Sequence, residues 1–259
     1  MRDSEFQAYC DRINYVGPRD VSLETLEGLH TAHTFNVPFE NLDVSCGRSI
    51  LLDPETLYAK LVLRRRGGYC FEMNGWFALV LEHLGFQVTS HLARRSLGGG
   101  DYYAALHQVL VVTIEGTRYL ADVGYGVEGI SAPLPIDVDT EYMQFVNRYR
   151  FDWDDRFGHV LERKTDDGWV GMYAFPQDPC LPIDIDVVNY YTSTNPASFF
   201  LKGRFCTIPT PTGRITLTED VFKIVENGQL TEREVEGEDD FRNLAQQYFR
   251  LDVAQIQQG

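Results

Sequence analysis

The spacing of the apolar residues changes near position 86, and no other feature constrains this chain as strongly. Upstream they recur at helical intervals; downstream they sit in short alternating runs. Phe6, Tyr9, Cys10 and Ile13 fall at i, i+3, i+4 and i+7, one face of an amphipathic helix. Ser22 is placed to cap a second helix with Leu23, Leu26 and Leu29 inward, and Pro38 lies beyond its end. Asp53, Pro54 and Glu55 mark a third start, leading into Leu57, Tyr58, Leu61 and Val62 and closed by Gly67-Gly68. Residues 71–84, apolar on most sides, read as a central fourth helix stopped by Gly85. Beyond it, β-branched and aromatic runs at 87–93, 106–114, 118–123, 149–153, 160–164 and 169–174 alternate with turn residues, the pattern of an antiparallel sandwich or small barrel. The Pro- and Asp-rich stretch 177–185 reads as a linker. Two strand-like segments follow (204–208 and 214–218), then an acidic stretch (232–240) and a last helix bearing Phe241, Leu244, Tyr248 and Phe249. The class is α+β, with units expected at 1–86, 87–185 and 186–259.

Charge and cysteine usage exclude several functions. Lys and Arg number 23 against 38 Asp and Glu, a net charge of −15, which argues against nucleic acid as a partner. No apolar run approaches the roughly 18 residues that span a bilayer. The start, Met1 to Phe6, lacks the apolar core of a signal peptide, so a cytoplasmic location is expected. Five cysteines, an odd number in no Cys-x-x-Cys spacing, fit neither a disulfide scaffold nor a structural zinc site.

Chemistry is concentrated around Cys70, which opens the central helix after two glycines. A thiol at a helix N-terminus sees unpaired N–H groups and the positive end of the dipole, which favour thiolate. Position alone leaves a second reading open, a small buried hydrophobe. A nucleophilic cysteine needs a histidine, and that histidine an orienting acid. His107 lies in the run 106–114, and Asp122 interrupts the apolar run after it. A two-residue turn at Glu115-Gly116 sets Asp122 opposite Val109, on the hairpin face of His107. The pair serves equally as a catalytic dyad or as a buried hydrogen bond holding the hairpin. His30 and His33, at i and i+3, lack further ligands at a useful spacing and read as packing residues. Gly124 to Gly129 matches G-x-G-x-x-G, but Pro133 and Pro135 exclude the helix a dinucleotide site requires. A glycine-rich loop beside Asp122 still lets a ligand approach the backbone closely.

Arg66-Gly67-Gly68-Tyr69-Cys70-Phe71-Glu72-Met73-Asn74 closely resembles the nucleophile signature of the arylamine N-acetyltransferases. Pro38-Phe39-Glu40-Asn41-Leu42 and Leu120-Ala121-Asp122-Val123-Gly124-Tyr125-Gly126 resemble further family motifs. So do Asn195 to Phe200 and Thr212 to Leu217, so the likeness runs nearly end to end. The resemblance implies a helical bundle, an antiparallel β-barrel and an α/β lid. It also implies a papain-like triad of Cys70, His107 and Asp122 at the bundle–barrel junction. Acetyl-coenzyme A is the implied co-substrate, no metal is required, and the acyl group passes through a Cys70 thioester to an arylamine or arylhydrazine in a ping-pong cycle. Phe39 and Tyr125 are the implied pocket walls, with Gly126 beside them. Two relatives in chemistry stay open: an amide synthase drawing a polyketide chain from an acyl carrier protein, and a cysteine hydrolase with the same triad. The oligomeric state is open as well. The chain departs from the family at Met73, where Gln is usual, at Leu106, where Thr precedes the histidine, and at Arg95, where a small apolar residue usually lines the substrate pocket; Arg95 either binds substrate there through a negative charge on acceptor or donor, or is turned to solvent by a one-residue shift of register. Coenzyme A is polyanionic and so is this chain, so local cations such as Arg94, Arg95, Lys202 or Arg204 are needed to offset the global field.

Overall fold

The computed structural model describes residues 1–253; positions 254–259, the end of the third expected unit, lie outside the described residues. Helix α1 (Asp3–Ile13) buries Phe6, Tyr9, Cys10 and Ile13, the predicted face. Helix α2 (Leu23–Asn36) begins at Ser22, whose hydroxyl accepts the Thr25 N–H at 3.2 Å. The short strand β1 (Phe39–Glu40) and helix α3 (Leu42–Ser45) follow. Asp53 caps α4 (Pro54–Leu57) by accepting the Thr56 N–H at 2.9 Å, and a π-helical turn, Tyr58–Leu63, continues it. Helix α5 (Cys70–His83) is central: Phe71, Met73, Trp76, Phe77, Val80 and Leu81 are all buried.

Eight strands form one antiparallel sheet. They are β2 (Gln87–Gly98), β3 (Asp101–Ile114), β4 (Thr117–Ala121), β5 (Leu134–Pro135), β6 (Glu141–Gln144), β7 (Asn147–Asp154), β8 (Gly158–Thr165) and β9 (Gly168–Phe175). Their order is β5-β4-β3-β2-β9-β8-β7-β6, and the sheet curls into a nearly closed barrel around Val109, Val111, Leu120, Tyr149, Leu161 and Tyr173. The two edges are linked by a side chain: the Gln144 amide accepts from the Ser131 and Ala132 N–H groups and donates to the Ala132 carbonyl. The β3–β4 turn is the expected two residues, with Leu110 opposite Ala121. Asp122 and Val123, however, lie past the end of β4. The Asp122 N–H leaves the ladder and donates to His30 Nε2 at 3.1 Å.

Two further expectations are corrected. The stretch 177–185 is a linker only in its first half, because helix α6 (Pro182–Thr194) starts inside it. Pro182 stands at the first helical position, where proline has no N–H to lose, and Asp184 accepts the Leu181 N–H at 2.9 Å. The last portion carries four strands rather than two: β10 (Phe205–Thr210), β11 (Gly213–Thr218), β12 (Val221–Glu226) and β13 (Gln229–Glu234). Strand β13 is exposed along its whole length, so no apolar alternation marks it, and the acidic stretch is divided between this strand and helix α7 (Gly237–Phe249). The final sheet also takes in β1, which pairs with β10 at Phe39–Thr207 and Glu40–Cys206. Cys206, Leu217, Phe241 and Phe249 pack between this sheet and α7.

Candidate active site

The turn into α5 is fixed by a close approach of two chain segments. The Glu40 N–H donates to the Gly68 carbonyl at 2.9 Å. A Cβ at Gly67 would lie 1.9 Å from the Pro38 carbonyl oxygen, and one at Gly68 would lie 2.8 Å from Glu72. Only glycine fits either place. Buried charges brace the same turn. Arg66 pairs with Glu40 at 2.6 Å and with Asp43 at 3.0 Å. Lys60 pairs with Asp43 and Glu72, each at 2.6 Å. Glu72 in turn accepts the Tyr69 N–H at 3.2 Å, which orders the start of the helix. Asn41 ties the turn to the far end of the chain, donating to the Phe200 and Gly203 carbonyls and accepting the Phe205 N–H.

Cys70 is thus the first residue of α5, 3% exposed, with its sulfur 3.9 Å from the Leu106 carbonyl oxygen. Helix geometry leaves the Cys70 and Phe71 N–H groups without intrahelical partners, whereas the Glu72 N–H donates to the Tyr69 carbonyl at 3.1 Å. His107 Nε2 donates to Asp122 Oδ2 at 2.7 Å, and Cys70 is near enough for its charge to act on the same imidazole. Asp122 is 1% exposed and accepts three further bonds. Tyr173 donates to Oδ2 at 2.9 Å, while the Asn74 amide and the Gly124 N–H donate to Oδ1 at 2.9 and 3.0 Å. Burial by itself pulls the His107 pKa down; the Asp122 charge, aided by Cys70, overrides it and raises it to about 10. Burial opposes the charge on Asp122, but His107, Asn74 and Gly124 outweigh it and hold the carboxyl below its usual range. Burial lowers His30 to about 4, so it stays neutral and accepts the Asp122 N–H.

The expected pocket residues gather at this end of the barrel. Phe39 lies against Gly126, where a Cβ would sit 3.4 Å from its ring. The Tyr125 ring meets His107 edge-on, with centroids 5.2 Å apart, and its hydroxyl donates to the Met172 carbonyl. Phe39, Tyr125, Gly126 and Met73 line a small cavity beside Asp122. Gly124 passes so close to the helix that a Cβ would sit 2.8 Å from Cys70 Cα. Arg95 is exposed on β2 directly opposite Tyr173. Of the other cations considered, Arg204 is occupied by Glu219 and Glu238, and Arg94 lies over the Phe157 ring. Among the described residues, no cluster of His, Cys, Asp or Glu could hold a metal ion. None of their helices is long and apolar enough to cross a membrane.

A family model described as N-acetyltransferase matches residues 22–258. The arylamine N-acetyltransferase of Mycobacterium tuberculosis is 38% identical over 221 residues, covering 83% of this chain and 77% of that protein. The chain belongs to the arylamine N-acetyltransferase family. The Escherichia coli K12 member is 37% identical over 234 residues, covering 87% of this chain and 80% of its own. Among solved structures, the Salmonella typhimurium arylamine N-acetyltransferase superposes with a TM-score of 0.90 at 32% identity, over 96% of this chain and 92% of that one. The Mycobacterium marinum arylamine N-acetyltransferase in complex with CoA gives a TM-score of 0.90 at 34% identity, over 97% and 94%.

Three residues that hold Asp122 do not stand out in the sequence as chemical candidates. Asn74 stands one helical turn after Cys70, on the same face, and that i+4 spacing was the available signal. His30 and Tyr173 gave none, because only the packing of α2 and β9 around the end of β4 brings them there.

Proposed function

We propose that this member of the arylamine N-acetyltransferase family moves an acetyl group from acetyl-coenzyme A to an arylamine or arylhydrazine nitrogen, with Cys70, His107 and Asp122 as its catalytic residues. The observation that carries the residue assignment is the buried 2.7 Å bond between His107 and Asp122 beside a thiol at a helix N-terminus. Asp122 holds Nε2–H, which leaves Nδ1 to take the Cys70 proton. The thiolate attacks the thioester carbonyl, and first-turn N–H groups of α5 face the developing oxyanion. The carbon–sulfur bond to coenzyme A breaks, its thiolate leaves with the proton from His107, and acetyl-Cys70 remains. An aromatic amine, largely unprotonated at neutral pH, attacks this second thioester. His107 accepts the amine proton, and the amide departs as the Cys70 thiolate is released. The donor is a soluble metabolite and the nucleophile a free thiol, and we place the enzyme in the reducing cytoplasm.

The test is intact-protein mass after exposure to acetyl-coenzyme A, alongside turnover with a panel of anilines and hydrazines. The wild type gains one acetyl group and loses it on adding an amine. Cys70→Ser gains none. Acetylation that persists in Cys70→Ser removes the nucleophile assignment. Hydrolysis of the acyl-enzyme at a rate indifferent to amine selects the hydrolase chemistry instead.

A further inference from the structure

Arg95 occupies a position that the mechanism leaves unexplained. On β2 it stands opposite Tyr173 of β9, and directly opposed residues project from the same face. Tyr173 reaches Asp122, so that face is the one that carries the site. Ala93, two residues earlier on the same face, is opposite His107. The neighbour Arg94 alternates to the other face, where it donates to the Tyr103 carbonyl and covers Phe157. Arg95 is therefore an exposed residue on the face that carries the site, near enough to Tyr125 for its charge to act on that phenol.

Its charge is not matched. No described acid pairs with Arg95. Two other arginines approach the loop that carries Tyr125, and Glu128 neutralises both, holding Arg163 at 2.7 Å and Arg214 at 3.0 Å. In a chain of net charge −15, an uncompensated cation on the sheet face that carries the site is a local reversal of the field.

From this placement we infer that Arg95 receives an anionic group on the acceptor, so that the enzyme favours aromatic amines bearing a carboxylate away from the nitrogen. The inference rests on the arylamine reading of the site. Two strand residues, about 7 Å, separate Arg95 from the position opposite His107, a span comparable to a benzene ring with its para substituents. The pantetheine arm of coenzyme A carries its phosphates well beyond that reach while its thioester is at Cys70. A guanidinium engages a carboxylate through two parallel N–H bonds, a geometry lysine does not reproduce.

The test compares 4-aminobenzoate with the neutral, equally shaped 4-aminobenzamide, using acetyl-coenzyme A as donor. In a ping-pong reaction the kcat/KM of the acceptor and that of the donor report separate half-reactions. The wild type is expected to favour the carboxylate. Arg95→Gln is expected to lower the ratio of the two acceptor kcat/KM values by roughly 10-fold, with Arg95→Lys between them. An unchanged ratio overturns the inference. So does a loss confined to the donor half-reaction, which assigns Arg95 to coenzyme A phosphate; a loss seen only with succinyl-coenzyme A assigns it to an acyl carboxylate. A wild type that acetylates neither amine overturns the arylamine reading itself, whereas turnover of both without preference overturns only the role of Arg95.

Discussion

Asp122 accepts four hydrogen bonds, two at each oxygen, and the donors differ in whether they can reverse. The Gly124 N–H cannot. Neither can the Asn74 amide, whose own oxygen is held by the Val123 N–H at 2.9 Å. In Asp122→Asn the amide oxygen must stay on their side, so the NH2 group faces His107 and Tyr173. The tyrosine hydroxyl turns to accept. His107 accepts only by moving its proton to Nδ1, the nitrogen that must take the thiol proton. Asp122→Asn is therefore expected to lose on the order of 10⁴-fold in kcat while losing only ~1–2 kcal/mol of stability. Stopped-flow acylation and urea unfolding check the two halves. A variant that unfolds outright gives the pair a structural role instead. Cys70, His107 and Asp122 were legible because each breaks its surroundings: a thiol after two glycines, an acid inside an apolar run. His30 and Tyr173 were not, since a histidine and a tyrosine inside regular elements look like packing until the chain is folded, and Asn74 was marked only by its i+4 spacing from Cys70.

Among the elements, α5 depends on its entry more than on its body. The glycine at 67 admits the Pro38 carbonyl, and no side chain fits there. Gly67→Ala is expected to cost ~2 kcal/mol or more and to displace Cys70. Gly75 sits in the helix itself, where a Cβ meets only Leu57 at 3.7 Å. Gly75→Ala is expected to stabilise the protein by ~0.5–1 kcal/mol through helix propensity. Denaturant melts of the two variants should move in opposite directions; a shift of the same sign in both contradicts this account. The caps of α2 and α4 and the core faces of α1 and α5 could be read from spacing because local chemistry settles them. Helix α6 was hidden because its opening proline signals a stop as readily as a start. Strand β13 was hidden because both of its faces are wet.

For the whole molecule, burial of histidines makes stability depend on pH in both directions. His107 is raised to about 10 when folded, so its contribution is complete below pH 6.5 and is lost as pH climbs through 10. His30 is lowered to about 4 and His33 well below its ordinary value, so theirs is present above pH 6.5 and is lost as pH falls through 4. Asp43, lowered to about 2 against the cost of its burial by Lys60 and Arg66, extends the acid limb below pH 4. Melting temperature is expected to peak near neutrality; one that goes on rising from pH 7 to 10 contradicts the raised His107. The α+β class and the antiparallel middle were readable from periodicity. The pairing of β1 with β10 was not, since two residues carry no period and their partner lies in the last quarter of the chain.

That pairing governs when the enzyme comes into being. The ribosome releases Cys70, His107 and Asp122 early, yet the seat that aims the thiol leans on β1, and β1 waits for β10. A nascent chain thus holds all three groups for about a third of its length, from Asp122 to β10, without the partner that fixes their aim. On the proposed mechanism, thiol chemistry on acyl donors waits until β10 has been made.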